Sequence, residues 1–496
     1  MGSGGSQAEI FASVAVPAVG ILLRNLLVPW FAGGQRFSDQ GRVYWFKFAV
    51  DFCLVPATIV LTQTVWADYV PALYLAMASM IMLLLSVQLY IYACRSPDSS
   101  PSTVPTVPRT GVLDTDIGDA QAPTTFLTYF RSLIFMLVAV AILGVDMNIF
   151  PRRFAKTDKT GHSLMDVGVA AFMAANGIVQ PLKAVARRDE GDRKRPERRW
   201  WSVYSSTLVL VALGIGRTVT LPLIGYSYSE SEYGRHWNFF YTLAAVQLVT
   251  ELIPSHHPLL LALLFGAAQQ AALTYGGLQE WILVKGGPRE HFIEANREGI
   301  CSLGGYITLF YLARVLGGVI ARTVTRKLRS YLTCIGVLMC LCVFFLLLQY
   351  AMEFAVGPPS RRVANIPYVL AMIGLACYLL SVCIAVQAVA FVGWAVGLPQ
   401  MGDNESPFAT TEPCLLTTVN RHGLLFFLVS NVSTGLMNML VFYFTGNPPS
   451  FLSTGPSLVL LLLHTAGSCA IVHALGATTA TRAQVTPTRA KAASLV

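Results

Sequence analysis

The sequence has 496 residues, of which only 12% are Asp, Glu, Lys or Arg, and its formal net charge is +9. Its mean hydropathy is +0.57, whereas a soluble globular domain carries roughly 25% charged residues. These values exclude a soluble globular protein. Apolar runs of about 20 residues recur along the chain, and each is long enough to cross a hydrocarbon core of roughly 30 Å, which indicates an all-α polytopic membrane protein.

Thirteen apolar segments predict transmembrane helices that together form a single membrane domain. In chain order they cover residues 11–31, 44–66, 69–93, 125–146, 163–184, 201–225, 236–254, 257–275, 303–321, 329–352, 366–396, 421–445 and 456–476. The domain therefore extends over 11–476, after a flexible N-terminus at 1–10 and before a cytosolic tail at 477–496. Within it, residues 94–124 are rich in Pro, Ser and Thr and predict a disordered cytosolic linker.

The basic residues of the loops predict the orientation of the chain. The loop that follows the fifth segment has seven Arg and Lys residues between positions 187 and 199, so it is expected on the cytosolic side. Counting segments in both directions then gives a lumenal N-terminus and a cytosolic C-terminus. The sequon at Asn404 falls on the cytosolic side and is expected to carry no glycan.

The ten cysteines lie mostly inside apolar segments and show no spacing typical of a metal site. We therefore expect free thiols, no disulfide framework and no bound metal. We attribute the positive net charge to cytosolic loops, and we expect no nucleic-acid partner.

The stretch 145–169, between the fourth and fifth segments, is unusually dense in charge. Counting segments assigns it to the lumenal face, yet it contains Arg152, Arg153, Lys156 and Lys159, against the usual positive-inside trend. Charges near bilayer depth are costly and commonly face a cavity where they function. The alternative is that these cations anchor the loop to lipid phosphates.

Asp146 follows an apolar run and precedes this group of cations. Burial raises the pKa of a carboxylate and nearby cations lower it, and a carboxylate under both influences can act as a general base. Pro151 cannot donate to a helix, so we expect the helix to break near Phe150. The break would turn Arg152, Arg153 and Lys156 back toward Asp146. The alternative is an ordinary ion pair at a helix end. His162 and Asp166 are spaced to share one helix face, but we interpret them as structural.

A second group of polar residues suits the binding of a sugar or a phosphate. His236, Trp237 and Asn238 open the seventh segment, Arg217 lies within the sixth, and Glu298 precedes the ninth. Aromatic residues favour membrane interfaces whatever their function, and Glu298 is equally consistent with an interfacial anchor. We retain all five residues as candidates for substrate binding.

Several stretches resemble those of one known family. They are the pair at 145–146, the run IFPRRFAK at 149–156, and positions 161, 163–168, 176–177, 233–234, 236–240, 297–300, 302 and 305–306. In order and spacing they are similar to the glucosaminyl-phosphatidylinositol inositol acyltransferases of glycosylphosphatidylinositol (GPI) anchor biosynthesis. The likeness covers nearly the whole chain.

The resemblance implies transfer of a fatty acyl group, typically palmitoyl, from acyl-CoA to the inositol 2-hydroxyl of glucosaminyl-phosphatidylinositol in the endoplasmic reticulum membrane. It implies that Asp146 and Lys156 are essential. We expect Asp146 to act as general base and Lys156 to stabilise the oxyanion or the leaving thiolate. Arg152, Arg153 and His236 are expected to hold phosphate groups. Acyl-CoA is then a co-substrate, no cofactor is expected, and the partners are the two substrates and membrane lipids.

Two other classes of protein remain open at this point. A secondary transporter would use Asp146 and the adjacent cations as a proton or anion site. A membrane-bound O-acyltransferase of a different fold relies on an intramembrane histidine, but His464 and His473 here lack a matching Asn partner.

Overall fold

The computed structural model describes residues 4–32, 42–94, 125–189, 200–223, 230–253, 256–325, 327–395 and 414–485. Helices form most of this part of the chain, and it contains no β-strand. The helices are α1 (Gln7–Ala32), α2 (Arg42–Leu54), α3 (Pro56–Thr62), α4 (Val70–Ala93), α5 (Thr125–Gly144), α6 (Val167–Asp189), α7 (Trp200–Leu223), α8 (Phe239–Leu252), α9 (Pro258–Thr274), α10 (Leu278–Glu280), α11 (Phe292–Ala295), α12 (Arg297–Cys301), α13 (Leu303–Thr323), α14 (Leu328–Val356), α15 (Ile366–Ala395), α16 (Leu415–Arg421), α17 (Gly423–Thr445) and α18 (Thr454–Val485).

Many of these helices are long and apolar enough to cross a membrane. Among the described residues there are nine such segments: Gln7–Val28, Tyr44–Thr62, Ala67–Tyr90, Thr125–Gly144, Arg297–Thr323, Leu328–Val356, Ile366–Ala390, Gly423–Thr445 and Thr454–Gly476. A tenth is obtained if Pro258–Thr274 and Leu278–Lys285, which are bent by 66° at their junction, form one broken span. Gly277 lies in that junction with φ +67°, a left-handed conformation that glycine adopts without steric cost. The chain is therefore a multi-pass α-helical membrane protein.

Each of the thirteen predicted segments contains a helix of the structure. The second segment is divided into α2 and α3, because Pro56 cannot continue the hydrogen bonding of the preceding helix. The number of helices that cross the membrane and the single membrane domain stay predictions.

The helix before the charged stretch ends earlier than expected. The sequence predicts a break near Phe150, whereas α5 ends at Gly144. A Cβ atom at Gly144 would lie 2.9 Å from the Phe150 ring, so this ring packs directly on the last residue of the helix. Asp146 therefore lies in the turn after α5 and not within the helix.

The described chain divides into two compact units. Unit 1 comprises Met1–Gly5, Lys156–Ala321 and Met339–Cys377, and unit 2 comprises Ser6–Ala155, Arg322–Leu338 and Tyr378–Val496. In unit 1, α7 packs against α8. In unit 2, α1 packs against α2, α3 and α4, while α5 packs against α16 and α17.

The predicted terminal and linker segments are described only in part. Helix α1 begins at Gln7, within the stretch predicted as a flexible N-terminus, and the Gly5 N–H donates to the His162 carbonyl at 2.8 Å. Residues 95–124 of the predicted linker, the sequon at Asn404 and residues 486–496 of the predicted tail lie outside the described residues.

Candidate active site

Asp146 accepts a hydrogen bond from helix α17 within unit 2. The Asn438 side-chain amide donates to the Asp146 carboxylate at 2.7 Å, and both side chains are partly buried. The side-chain oxygen of Asn438 is buried and has no hydrogen-bond partner in the described chain. The Asn438 amide N–H thus holds the Asp146 carboxylate, and the Asn438 side-chain oxygen lies beside it without a hydrogen-bond partner among the described residues.

Arg152 and Arg153 also belong to unit 2, and both have protein partners. The exposed Arg152 guanidinium donates to the Val145 carbonyl at 2.9 Å. Arg153 donates to the Glu9 carboxylate at 2.8 Å and also forms an ion pair with Asp68. Burial would lower the pKa of Arg153, but its hydrogen bonds with these two carboxylates outweigh that effect and raise the pKa. Arg153 is thus already charge-compensated.

Lys156 belongs to unit 1, where it begins the segment Lys156–Ala321. Its ammonium group forms an ion pair with Glu232, which precedes α8. The two side chains are 30% and 18% exposed, so the pair lies between solvent and the interior. Lys156 is held by a carboxylate that was not a candidate in the sequence.

Glu232 and Asp166 are linked electrostatically through Arg361. The Arg361 guanidinium donates to the Asp166 carboxylate at 2.8 Å and lies 5.8 Å above the Tyr233 ring. The other Asp166 oxygen accepts from the Thr157 hydroxyl at 2.7 Å. Burial by itself raises the pKa of the Glu232 carboxyl, but the charges of Lys156 and Arg361 outweigh it and lower the pKa to about 2. Glu232 is therefore ionised at neutral pH.

The 233–238 turn is held by the segment around Asn296. The Asn296 side-chain oxygen accepts from the backbone N–H groups of His236 and Trp237, each at 2.8 Å. The Gly299 N–H donates to the Tyr233 carbonyl at 2.9 Å. A Cβ atom at Gly299 would overlap the Trp237 ring, so only glycine permits this packing.

The predicted substrate-binding residues of this turn differ in what their side chains contact. His236 is exposed, whereas the Trp237 indole N–H donates to the Thr242 hydroxyl at 3.0 Å. The Asn238 side chain caps α8 by accepting from the Phe240 N–H at 3.0 Å, and it donates to the Gly214 carbonyl at 2.9 Å. The Asn238 side chain therefore has partners within the protein, and its role in substrate binding stays a prediction.

Arg217 and Glu298 lie in unit 1 with that turn. Arg217, on α7, is half-buried, and its positive charge contributes to lowering the Glu232 pKa after the effects of burial and of Lys156. The Glu298 side chain is fully buried and is enclosed by arginines, the closest being Arg289 at 2.6 Å. The Glu298 carboxylate therefore binds protein cations, and its part in substrate binding stays a prediction.

His162 and Asp166, interpreted from the sequence as structural, have well-defined protein contacts. Asp166 is buried against Arg361 and Thr157, as described above, and its carbonyl accepts from the Tyr368 hydroxyl at 2.7 Å. His162 lies 3.9 Å from the Glu353 carboxylate. Burial lowers the His162 pKa more than that carboxylate raises it. Within the described ranges, no group of three or more His, Cys, Asp or Glu side chains is arranged to hold a metal.

Asn438, Glu232 and Arg361 were not predicted from the sequence as site residues. Asn438 was one of several uncharged polar residues of a span, and the hydrogen bond to Asp146 joins positions 292 residues apart. Arg361 lies in the short basic pair Arg361-Arg362 between α14 and α15. A charged pair between two apolar spans is the one signal by which sequence reasoning could have found it.

Comparison of the sequence with known proteins identifies the family. The GWT1 family model matches residues 2–475. The chain belongs to the GWT1 family. This GWT1-family chain is 30% identical over 503 aligned positions to glucosaminyl-phosphatidylinositol-acyltransferase PIGW of Mus musculus, with 95% of each chain covered.

The chain is also similar to two further relatives over most of its length. The chain is 32% identical over 467 positions to GPI-anchored wall transfer protein 1 of Gibberella zeae, covering 88% of this chain and 89% of that one. It is 28% identical over 500 positions to PIGW of Homo sapiens, with 95% of each chain covered. The family predicted from the motifs is therefore confirmed.

Proposed function

We propose that this chain is an acyltransferase of GPI-anchor biosynthesis that acylates the inositol of glucosaminyl-phosphatidylinositol. The observation that carries the proposal is the family match over residues 2–475. It is supported by relatives named glucosaminyl-phosphatidylinositol-acyltransferase, of which the alignment covers 95%. The acyl donor is acyl-CoA, with palmitoyl as the transferred group, and the acceptor atom is the inositol 2-hydroxyl oxygen.

The reaction is a transfer from a thioester to an alcohol. The inositol oxygen attacks the carbonyl carbon of the thioester, a C–O bond forms, and the C–S bond breaks as the tetrahedral intermediate collapses. The hydroxyl proton passes to Asp146 and from there to the departing CoA thiolate. Neither a covalent enzyme intermediate nor a cofactor is needed for this balance.

Asn438 supports the role of Asp146 as general base. Its amide N–H donates to the carboxylate at 2.7 Å and so fixes the direction in which the remaining lone pairs of Asp146 point. In this proposal Asn438 is a positioning residue for Asp146.

Lys156 supplies positive charge for the oxyanion or for the thiolate. The ion pair with Glu232 fixes the position of the ammonium group. The positive charge of Arg361 also stabilises the Glu232 carboxylate. Donors fixed in advance at the site of developing charge lower a barrier without reorganising. Arg152 and Arg153 remain proposed phosphate ligands, and the exposed Arg152 has the more available charge.

The remaining predicted contacts and the cellular context complete the proposal. His236 and Trp237 border the acceptor sugar, and Arg217 adds positive charge near Glu232. We further propose thirteen membrane spans that function as one domain in the endoplasmic reticulum membrane. The N-terminus is lumenal and the C-terminus cytosolic, because the most basic loop follows the fifth span.

The test is an assay with the purified full chain, labelled palmitoyl-CoA and glucosaminyl-phosphatidylinositol. We expect a labelled lipid product from the wild type, and a decrease in kcat of about 10²- to 10⁴-fold in Asp146→Asn, as expected for loss of a general base. Lys156→Ala should lower kcat by about 10²-fold or more. The absence of product with the wild type rejects the proposed function, and full activity in both variants rejects the roles of Asp146 and Lys156. Flux of a solute into liposomes without acyl transfer supports a transporter instead.

A further inference from the structure

Three arginines of unit 1 converge on the single carboxylate of Glu298. Arg289 contacts both of its oxygens, at 2.6 and 3.1 Å. Arg362 donates to one of them at 3.2 Å, and the Arg297 Nε atom lies 3.6 Å from the same oxygen. One buried negative charge is therefore shared by three positive charges.

The surrounding acidic groups do not balance this excess. Glu230 lies 3.7 Å from Arg289, but its carboxylate is also 3.3 Å from Arg235 and is 41% exposed. Asp158 acts on Arg362 from a distance, and its side chain is exposed to solvent. A positive excess in a mostly buried cluster is costly unless an anion compensates it.

Two of the arginines also have unused donors. The Nε groups of Arg297 and Arg362 make no hydrogen bond within the described residues, although these residues are only 4% and 8% exposed. Arg297 is otherwise fixed, because it donates to the Gly286 carbonyl at 2.8 Å and lies 5.4 Å above the Trp281 ring. A buried N–H without a partner is expensive, so these donors indicate a ligand with acceptor oxygens.

The cluster adjoins the group of residues around Lys156. Arg361 and Arg362 are consecutive: the first binds Asp166 and acts on Glu232, the partner of Lys156, while the second binds Glu298. A ligand held by Arg362 therefore lies in the neighbourhood of the Lys156–Glu232 pair. Both substrates of the proposed reaction carry phosphates, and in the acceptor the phosphate is on the inositol carbon adjacent to the reacting hydroxyl.

We propose that Arg289, Arg297 and Arg362, held together by Glu298, form a phosphate-binding site for one of the two substrates. The proposal rests on the acyl transfer proposed above. The planar guanidinium groups offer pairs of N–H donors that match the oxygens of a phosphate. Glu298, predicted from the sequence as a substrate ligand, instead organises the arginines that bind the substrate.

The kinetic test separates the two sources of phosphate. In Arg297→Gln and Arg362→Gln we expect the KM for one substrate, either palmitoyl-CoA or glucosaminyl-phosphatidylinositol, to rise by about tenfold, because a charge-assisted hydrogen bond is lost. The KM for the other substrate and kcat should change by less than about threefold. The matched control is Arg329→Gln, which removes one exposed positive charge and should leave both constants unchanged.

A binding test does not depend on turnover. We expect inorganic phosphate, compared with chloride at the same ionic strength, to raise the Tm of the full-length wild type by about 2 °C at tenfold excess over Kd. The increase should be lost in Arg362→Gln. If the Gln variants do not fold, Arg297→Lys and Arg362→Lys retain the charge beside Glu298 and lack the guanidinium fork, and they should show the same losses.

The outcomes distinguish this proposal from the proposed function. If phosphate raises the Tm of the wild type but not of the variants, and the protein shows no acyl transfer, the phosphate-binding site is supported and the proposed function is rejected. If the protein transfers the acyl group, all folded variants have unchanged KM values and phosphate does not change the Tm, the phosphate-binding site is rejected and the proposed function is supported.

Discussion

Lys156 and Glu232 form an ion pair although 76 residues separate them in the chain. Either residue alone has an ordinary explanation in the sequence, since a lysine suits a loop and a glutamate suits an interface. Their pairing gives Lys156 a fixed position, and Arg361 extends the same network to Asp166. A positioned cation is what the proposed stabilisation of an oxyanion requires.

The Glu232 pair predicts a pH dependence of stability. The folded-state pKa of about 2 lies below the ordinary value of 4.5, so the stabilisation is complete above pH 4.5 and is lost as the pH falls toward 2. We expect Glu232→Gln to lower the Tm at neutral pH, and the difference from the wild type to shrink below pH 4.5. Thermal unfolding of the detergent-solubilised protein between pH 3 and pH 8 measures this.

A matched control for Glu232 is Glu280→Gln. Glu280 pairs with Lys285, but these side chains are 59% and 66% exposed, and exposed ion pairs contribute little. The Tm of this variant should follow the wild type across the pH range. A Glu232→Gln difference that stays constant down to pH 3 would contradict the assignment of the low pKa.

Asn438 predicts a separation between kcat and KM. We expect Asn438→Ala to lower kcat by about tenfold or more, because Asp146 loses a hydrogen bond that orients a charged group, while both KM values change by less than about threefold. The control is Asn431→Ala on the same helix, whose amide donates to the Phe427 carbonyl of its own helix. Steady-state kinetics with each substrate varied in turn measures the effect, and equal losses in the two variants would indicate a general structural role.

At the level of elements, glycines decide how closely α6 and α13 approach. A Cβ atom at Gly317 would overlap the Ile178 carbonyl oxygen and lie 2.9 Å from the Ile178 Cα atom. On the α6 side, a Cβ atom at Gly177 would lie 2.9 Å from the Ala313 Cβ atom. Small residues at helix contacts are typical of membrane proteins, because they allow backbones to pack closely.

Gly317 and its neighbour Gly318 provide a direct test of this contact. We expect Gly317→Ala to lower stability by about 1–3 kcal/mol through overpacking. No atom lies within 4 Å of a Cβ placed at Gly318, so Gly318→Ala should leave the Tm unchanged or raise it slightly. Thermal unfolding of the two variants measures the difference, and equal effects would show that the approach of α6 to α13 does not depend on Gly317.

At the level of the whole molecule, the distribution of basic residues predicts the orientation in the membrane. We expect a sequon-bearing tag at the N-terminus to be glycosylated in cells. Tags inserted within 95–124 or at the C-terminus should remain unmodified, since both segments are predicted to be cytosolic. Gel mobility before and after deglycosylation measures this. The reverse pattern, in tagged proteins that retain acyltransferase activity, would invert the proposed topology.

Much of the architecture was predictable because membrane spans are encoded locally. All thirteen apolar segments contain a helix. Helix ends were less predictable: α5 ends at Gly144, where the Phe150 ring packs on that glycine, and hydropathy does not indicate this contact. The candidate site was predicted only in part. Asp146 and Lys156 were named from the motif, whereas their partners Asn438 and Glu232 were not.

The sequence by itself determined the class of protein, the helical segments, the family and the charged stretch from 145 to 169. These follow from composition and from motifs whose residues are neighbours in the chain. Only the tertiary structure decided which groups compensate those charges, because Lys156–Glu232, Asp146–Asn438 and Asp166–Arg361 join residues 76, 292 and 195 positions apart. The same holds for the three arginines around Glu298. Buried charges require partners within a few ångströms, and the folding of the chain determines which residues come that close.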